Sequence, residues 1–428
     1  MNSPDNPKPR SNDRTSSCDS EPYQATPSQA SASSAREACF VASGATPHEA
    51  TEADRDEGSS EFRHACLVLA LTPGVGAVTY RRLIEQLGSA RAALDADFDT
   101  LCQVDGIGVV GARAIQLQSR NAARIVDEVE TNCQRDKQQW LTTLDDAYPN
   151  ILRETSDPPP LLFCKGRLAA LRTMGIGIVG TRHATRYGAR QAERIAAELA
   201  GRGLTVTSGL ARGIDAAAHR ATLRVDGTTI AVLGGGLDRV FPGEHRSLAD
   251  EITEHGLLLS EHPPGFPPRG GVFPQRNRVI AGMSLAVMVI EAGLRSGALI
   301  TARHALEQNR EVLALPGPVD SPVSRGCHQL IRDGAALLES IDDLWELLGP
   351  LFEPMPDGHG RVARHGLELS LNPQEKAVLD AVEAEPTLLD TIAEATGLPI
   401  SRVLATVSAL ETRGVLRRNG GGRVSRGC

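Results

Sequence analysis

Lysine is almost absent from this 428-residue chain: there are four, at 8, 137, 165 and 376, and none follows a glycine. A G-x-x-x-x-G-K-[ST] phosphate loop is thereby excluded, and with it the commonest ATPase mechanism. Aromatic residues make up only 3% of the sequence, so few rings are available to stack on bases. No apolar run approaches the roughly 18 residues of a membrane span, and the start of the chain lacks the basic region, apolar core and cleavage site of a signal peptide. The eight cysteines (18, 39, 66, 102, 133, 164, 327 and 428) include no C-x-x-C pair, which argues against both a zinc site and a disulfide framework. These absences predict a cytoplasmic chain with reduced thiols, no metal and no cofactor.

Charge of one sign is also missing where a polyanion would bind. The net charge is −8, but residues 1–64 hold eleven acids and six bases, a balance of −5. From Gly175 to Trp345 there are 18 Arg, no Lys and 18 Asp plus Glu, a balance of zero. Binding to nucleic acid would therefore need a local patch rather than a bulk positive field.

Length and composition predict several units. Residues 1–61, rich in Ser, Ala, Thr, Pro and acid without periodicity, read as a disordered acidic tail. Residues 62–130 read as a helical domain with two glycine hairpins, Thr72-Pro-Gly-Val-Gly76 and Val104-Asp-Gly-Ile-Gly108. Each hairpin precedes an amphipathic stretch, Tyr80 to Leu87 and Ala112 to Leu117. Such paired turns resemble helix-hairpin-helix or SAM-like units, and a plain packing domain with tight turns fits equally well.

After Asp157-Pro-Pro-Pro160, strands and helices alternate through a domain spanning 131–348. Strands are predicted at Ile176–Val179, Leu204–Thr207, Thr228–Leu233, Leu257–Leu259, Leu285–Ile290 and Glu311–Leu315. Helices are predicted at Arg186–Gly201, Ile214–Leu223, His245–Glu254 and Ala298–Gln308. The strands are continuously apolar, as when helices cover both faces of a parallel sheet. The fold class is α/β, an extended Rossmann-like doubly wound sheet. Gly175-Ile-Gly-Ile-Val-Gly180 matches G-x-G-x-x-G but falls inside a strand, so it is read as coincidence.

In such a sheet the carboxyl ends of the strands form the ligand crevice. Gly180-Thr-Arg182 follows the first strand, and Ser208-Gly209-Leu-Ala-Arg212-Gly213 the second. Gly234-Gly235-Gly-Leu-Asp238 follows the third, Ser260-Glu261 the fourth and Glu291-Ala-Gly293 a later one. Arg212 stands where many nucleotide-binding turns present only backbone N–H groups, which points to phosphate. Phe273-Pro-Gln-Arg276-Asn277-Arg278 opens another helix, and guanidinium forks match phosphate oxygens. The alternative is that Arg276 or Arg278 pairs with Glu291 or Asp215 to hold loops together. Neutralising Arg182, Arg212, Arg276 and Arg278 at once would demand several acids in one crevice. Asp215 and His219, at i and i+4, read as a helix-stabilising contact before an acid/base pair. No nucleophile or metal-spaced cluster appears, so the chain is read as a binding protein and not an enzyme.

These segments, with Tyr187-Gly188, Thr229 to Leu233, Ser296 to Ala302, Pro316-Gly317 and Ser324-Arg-Gly326, follow in an order that resembles the DprA/Smf family of bacterial DNA-processing proteins. The resemblance covers about Leu67 to Leu348 and extends to the C-terminal module. It implies single-stranded DNA binding in a basic pocket, homodimerisation, and loading of the recombinase RecA in natural transformation and recombination. Arg182 matches the arginine of the family's G-x-R motif, and Arg276, Asn277 and Arg278 its R-N-R motif. Gly180, Ser208, Gly209, Arg212, Gly234, Gly235 and Phe273 complete the expected DNA site. The family's dimer surface maps onto Cys327 to Leu338, with His328 and Leu337 as the contacts. Thr185 stands where serine is common, Phe241-Pro-Gly-Glu-His245 replaces a usual tyrosine and asparagine, and Asn309 takes the place of a usual glycine.

Single strands are held by cations along the backbone and by stacking, each stacked base contributing on the order of 1–3 kcal/mol. With few stacking platforms, the candidates being Phe241, Phe266 and Phe273, each of which reads first as a core or loop anchor, phosphate contacts should dominate and binding should fall steeply with salt. Residues 349–370 read as a linker. Residues 371–428 read as a winged helix, with helices at Pro373–Glu383, Thr387–Thr396 and Ile400–Arg413, Ser401 as a cap, and a hairpin from Gly414. Its seven bases and seven acids fit duplex binding and protein docking equally. A rival reading is a nucleotide-binding or nucleoside-phosphate-hydrolysing enzyme on a related fold, though such enzymes carry P-G-G-x-G-T where this chain has Gly234-Gly-Gly-Leu-Asp238. A third is a scaffold that recruits RecA without touching DNA.

Overall fold

The computed structural model describes residues 60–348 and 371–426, apart from 384 and 414. The acidic tail, the linker, Cys18, Cys39 and Cys428 lie outside the described residues.

Six helices come first: Ser60–Ala70, Ala77–Leu87, Ala90–Asp95, Phe98–Gln103, Val109–Arg120 and Ala122–Arg135. The short ones begin where a polar side chain takes a free helix-start N–H. Ser89 accepts from Ala92 N at 3.1 Å, and Asp97 from Thr100 N at 2.8 Å. Both hairpins turn through a glycine with positive φ, Gly74 at 87° and Gly106 at 88°. The apolar core of these helices runs on through Trp140, Leu161 and Phe163 into the sheet, so the helical region and the sheet share one interior.

The sheet has nine strands: β1 (Gln139–Thr142), β2 (Leu161–Gly166), β3 (Gly175–Val179), β4 (Thr205–Ser208), β5 (Thr229–Leu233), β6 (Leu257–Ser260), β7 (Ala286–Val289), β8 (Glu311–Ala314) and β9 (Ala336–Leu337). Their order is β1-β2-β6-β5-β4-β3-β7-β8-β9. From β6 to β9 every pairing is parallel, while β1 and β2 add an antiparallel edge. No pattern in the sequence marks β1, β2 or β9. Four, six and two residues are too few to display a period, and β2 directly follows three prolines.

Helices Arg186–Gly201 and Ile214–Arg224 pack on one another beside the central strands, with Ile195, Leu199, Ala217 and Ala221 in a core that includes Ile176, Ile178 and Val206. The chain runs from β3 outward through β4, β5 and β6, then returns past β3 to β7 and continues to β8 and β9. The order therefore reverses between β3 and β7, the place where open α/β sheets open a crevice. Gly175 and Gly177 lie inside β3, consistent with a strand and not a phosphate turn. Asn309, in the position of a usual glycine, has φ of 56°, a left-handed conformation that asparagine tolerates better than most residues.

The C-terminal module comprises helices Pro373–Asp380, Leu389–Thr396 and Ile400–Thr412, with a three-stranded sheet of β10 (Thr387–Leu388), β11 (Leu416–Asn419) and β12 (Arg423–Arg426). Asn372 closes a capping box with Glu375. The expected cap at Ser401 is not made: Pro399 is the N-cap residue, and Ser401 lies within the helix with its hydroxyl turned to Glu311.

His219 is fully buried in the helix Ile214–Arg224, its Nδ1 2.7 Å from the Thr229 hydroxyl. Burial, reinforced by the neighbouring His245, Arg276 and Arg220, pushes its pKa down to about 3. The unfolded chain takes up a proton near pH 6.5 that the folded chain refuses. Stability from this residue is therefore complete above pH 6.5 and lost as pH falls towards 3, by roughly 2 kcal/mol at pH 5. Urea unfolding at pH 7 and pH 5 should show that the loss on acidification is smaller by about that amount in His219→Asn.

Candidate nucleic-acid interface

The turn after β4 is shaped by an arginine from another helix. Arg276, on Val272–Gly282, is buried and donates to the Gly209 carbonyl at 2.7 Å and to the Val232 carbonyl, tying the end of β4 to β5. A Cβ at Gly209 would lie 2.5–2.7 Å from this guanidinium, which explains the glycine. Asp215 faces the same turn and accepts from the backbone N–H of Gly209 at 3.2 Å and of Ala211 at 3.3 Å. Burial raises its pKa while Arg276 and the two N–H groups oppose the rise. Burial lowers Arg276 to about 10, with Asp215 opposing and Arg182 adding to the fall.

Between these anchors Leu210 has a φ of 56°, a strained conformation for a branched side chain, and the buried His245 holds its carbonyl at 2.9 Å. Gly213, at φ 75°, passes so close to Thr181 and Arg182 that a side chain would collide with their backbone. The turns after β3 and β4 thus interlock.

Glu291 closes the same corner from the loop after β7. Its carboxylate accepts from the Thr185 backbone N–H at 2.9 Å and from the Thr185 hydroxyl, which itself caps the next helix by accepting from Gly188 N at 3.1 Å. Gly188 has no room for a Cβ against the Glu291 side chain. Replacing a usual serine by threonine keeps the hydroxyl on which this arrangement depends.

The four arginines of the sequence reading meet different fates. Arg212 is exposed and forms a bidentate pair with Glu244, both contacts 2.8 Å. Arg278 is mostly buried between Glu261 and Asp157. It lines a cleft of about 750 Å³ with His262, Phe266 and the hairpin residues Gly74 to Thr79, away from the other three. Arg276 serves the backbone. Arg182 is exposed and forms no ion pair among the described residues, and its guanidinium sits 5.5 Å from the Phe273 ring centre. Phe273 in turn meets Phe241 at 5.6 Å, with the Phe241 ring half exposed. A free cation beside two accessible rings is the pairing that a nucleic-acid strand recognises by phosphate and base together.

Other expected residues fall nearby. Gly180 packs against Ile214, Gly234 against Phe273, and Gly235 against the backbone of the loop holding Phe266 and Pro268. The Ser208 hydroxyl donates to the Ile178 carbonyl at 2.6 Å and is buried, so it orders the strand end and is not presented to solvent. Asn277 is nearly buried and donates to the Gly297 carbonyl at 3.2 Å. Phe266 stacks on His262 at 4.0 Å. His328 donates from Nε2 to the Gly317 carbonyl at 3.0 Å, while Leu337 is 42% exposed on β9, an edge strand.

Three pairings differ from the reading of the sequence. Asp215 and His219 do not bond to each other: the first serves the turn and the second Thr229. Glu291 is taken by Thr185 and not by an arginine. Glu244, the partner of Arg212, was not singled out, because a contact between residues 32 apart on two loops leaves no local signal. Among the described residues no group of three His, Cys, Asp or Glu is placed to hold a metal, and no helix is long and apolar enough to cross a membrane.

Residues 139–349 match the family model described as DNA recombination-mediator protein A, residues 362–422 the DprA winged helix domain, and residues 60–97 the DprA-like N-terminal HHH domain. The Smf protein of Synechocystis is 39% identical over 383 residues, covering 82% of this chain and 96% of that protein. The Smf protein of Escherichia coli is 43% identical over 289 residues, covering 66% and 76%. The X-ray structure of DNA processing protein A from Streptococcus pneumoniae aligns with a TM-score of 0.57 at 34% identity, covering 67% of this chain and 97% of that one.

Gly209→Ala should displace the Arg276 guanidinium and uncouple β4 from β5, lowering unfolding free energy by roughly 2–4 kcal/mol, since a buried charge loses its acceptors. Thermal unfolding followed by circular dichroism checks this. Gly243→Ala, where a Cβ meets open space, should unfold within a few degrees of the unsubstituted protein.

Proposed function

Because the chain belongs to the DprA/Smf family of DNA-processing proteins, we propose that its crevice binds single-stranded DNA, with Arg182 as the primary phosphate contact and Phe273 and Phe241 as the platform for bases. The observation that carries this reading is the free Arg182 guanidinium poised over Phe273, which packs on Gly234 after β5, at the mouth of the crevice. Arg276, Asn277, Ser208, Gly209, Gly180, Gly234 and Gly235 shape that mouth. Arg212 joins the contact when a phosphate displaces Glu244, since a solvent-exposed ion pair is screened by water and readily exchanged. Arg278 acts as a strut.

The protein protects incoming DNA and hands it to the recombinase RecA in natural transformation and recombination. It works as a homodimer in the cytoplasm, joined through the edge formed by helix Arg325–Arg332 and β9, where Leu337 supplies exposed apolar surface. No catalysis is assigned: the buried His219 and Asp215 are committed to structure. A nucleoside-phosphate hydrolase would have to show turnover of a nucleoside monophosphate.

In a fluorescence anisotropy titration across a salt series, Arg182→Ala should weaken binding of a single-stranded oligonucleotide by roughly tenfold. The slope of log K against log salt should become shallower by about 0.7, one phosphate contact. Phe273→Ala should lower affinity by a similar factor with the salt slope unchanged, since stacking releases no counterions. Unaltered binding by both variants would move the weight to a scaffold that recruits RecA alone.

A further inference from the structure

Helix Ile400–Thr412 is the second helix of a helix-turn-helix, the element that enters the major groove in proteins that read duplex DNA. Here it has no exposed residue before Thr412. One side, Val403, Val407 and Leu410 with Leu404, fills the module's own core. The opposite stripe is covered by the α/β domain. Ala405 and Ala409, one turn apart, join the core cluster that contains Leu344 and Leu348. Ser401, one turn earlier on the same stripe, donates its hydroxyl to Glu311 on β8. Arg402 donates to the Leu347 carbonyl at 2.7 Å and to the Glu346 carbonyl.

The adjoining β-hairpin is held in the same way. Arg418 on β11 has a side chain only 2% exposed, with Nη1 2.6 Å from Glu154 of the α/β domain and Nε 3.3 Å from Glu411. Its Nη2 donates to the Ser408 hydroxyl at 2.6 Å, and Asn150 reaches Glu411 at 2.6 Å from the other side. Arg417 and Arg423, on the two strands of the hairpin, stay exposed and form no ion pair among the described residues. A hydroxyl and two arginines on the reading helix and its neighbouring strand are thus bound by oxygen acceptors, the contacts that phosphate oxygens of a duplex accept.

We propose that this face of the C-terminal module is a duplex-DNA-binding surface held shut by the α/β domain, with Glu154 and Glu311 occupying the acceptor positions of backbone phosphates. The module swings away from those carboxylates to bind. Arg417 and Arg423 make the first contact with the duplex. Arg402, Arg418 and Ser401 engage it once Glu154 and Glu311 are left behind. This surface is distinct from the single-strand crevice, so the two activities separate by substitution.

The test uses the full chain and changes only the α/β side, which leaves the module's own sequence intact. Glu154→Gln/Glu311→Gln removes both carboxylates, and Glu154→Arg sets a like charge against Arg418. Small-angle X-ray scattering reads opening as a larger radius of gyration. Anisotropy reads binding to a labelled duplex of about 20 base pairs and to one of its single strands. Both variants should open and bind the duplex about tenfold more tightly, with single-strand affinity within about twofold of the unsubstituted protein. Adding Arg417→Ala/Arg423→Ala to an opened variant should abolish the gain. Opening without a gain, a gain that survives loss of the two arginines, failure of both variants to open, or equal duplex affinity before substitution would each overturn the proposal. Arg182→Ala alone reports on the single-strand crevice, so failure of that reading is seen separately.

Discussion

A single buried guanidinium sets the geometry on which the crevice depends. Arg276 is donated by a helix far along the chain, yet its bonds end on the carbonyls of Gly209 and Val232, at the tips of two neighbouring strands. Burying a charge is costly unless hydrogen bonds and an opposite charge attend it, and here two carbonyls and Asp215 provide both. Removing either side would leave an unmatched group in the interior. The anchored turn carries Leu210 in a left-handed conformation, and its Gly213 lies against the backbone of Thr181 and Arg182 in the first loop.

The charge balance of the α/β region acquires a spatial meaning in the fold. Equal numbers of arginines and acids would leave no field for DNA if all were paired. The structure distributes them unevenly: Arg278 is enclosed by Glu261 and Asp157, Arg212 is clasped by Glu244 at the surface, and Arg182 is left to the aromatic rings. A neutral domain can thereby leave an unpaired arginine beside aromatic rings at the strand ends. The same economy operates at the C-terminal module, where Glu154 is shared between Arg418 and the neighbourhood of Arg310, and burial of that cluster joins two domains.

Much of the α/β fold was legible because continuous apolar runs and glycine-bearing strand ends are local signals. Strands β3 to β8 and their helices fall within a residue or two of the positions read from periodicity. The antiparallel edge, β1 and β2, left no such trace, since short strands gain their identity from neighbours. The arginines were visible as candidates, but a guanidinium that serves two carbonyls and one that faces solvent look alike in a list of residues. Glu244 and Thr185 illustrate the other gap: their partners lie 32 and 106 positions away.

The sequence by itself determined the alternation of strands and helices, the gathering of glycines and arginines at strand ends, and the family to which those motifs belong. Spacing along a chain is enough for that, because helix and strand periods and tight turns are set by residues within a few positions of one another. Only the tertiary structure decided which cation is free, which carboxylate is spent, and that the third helix of the C-terminal module is covered. Those outcomes depend on desolvation and on distances of a few ångströms between segments remote in sequence, and no local pattern encodes them.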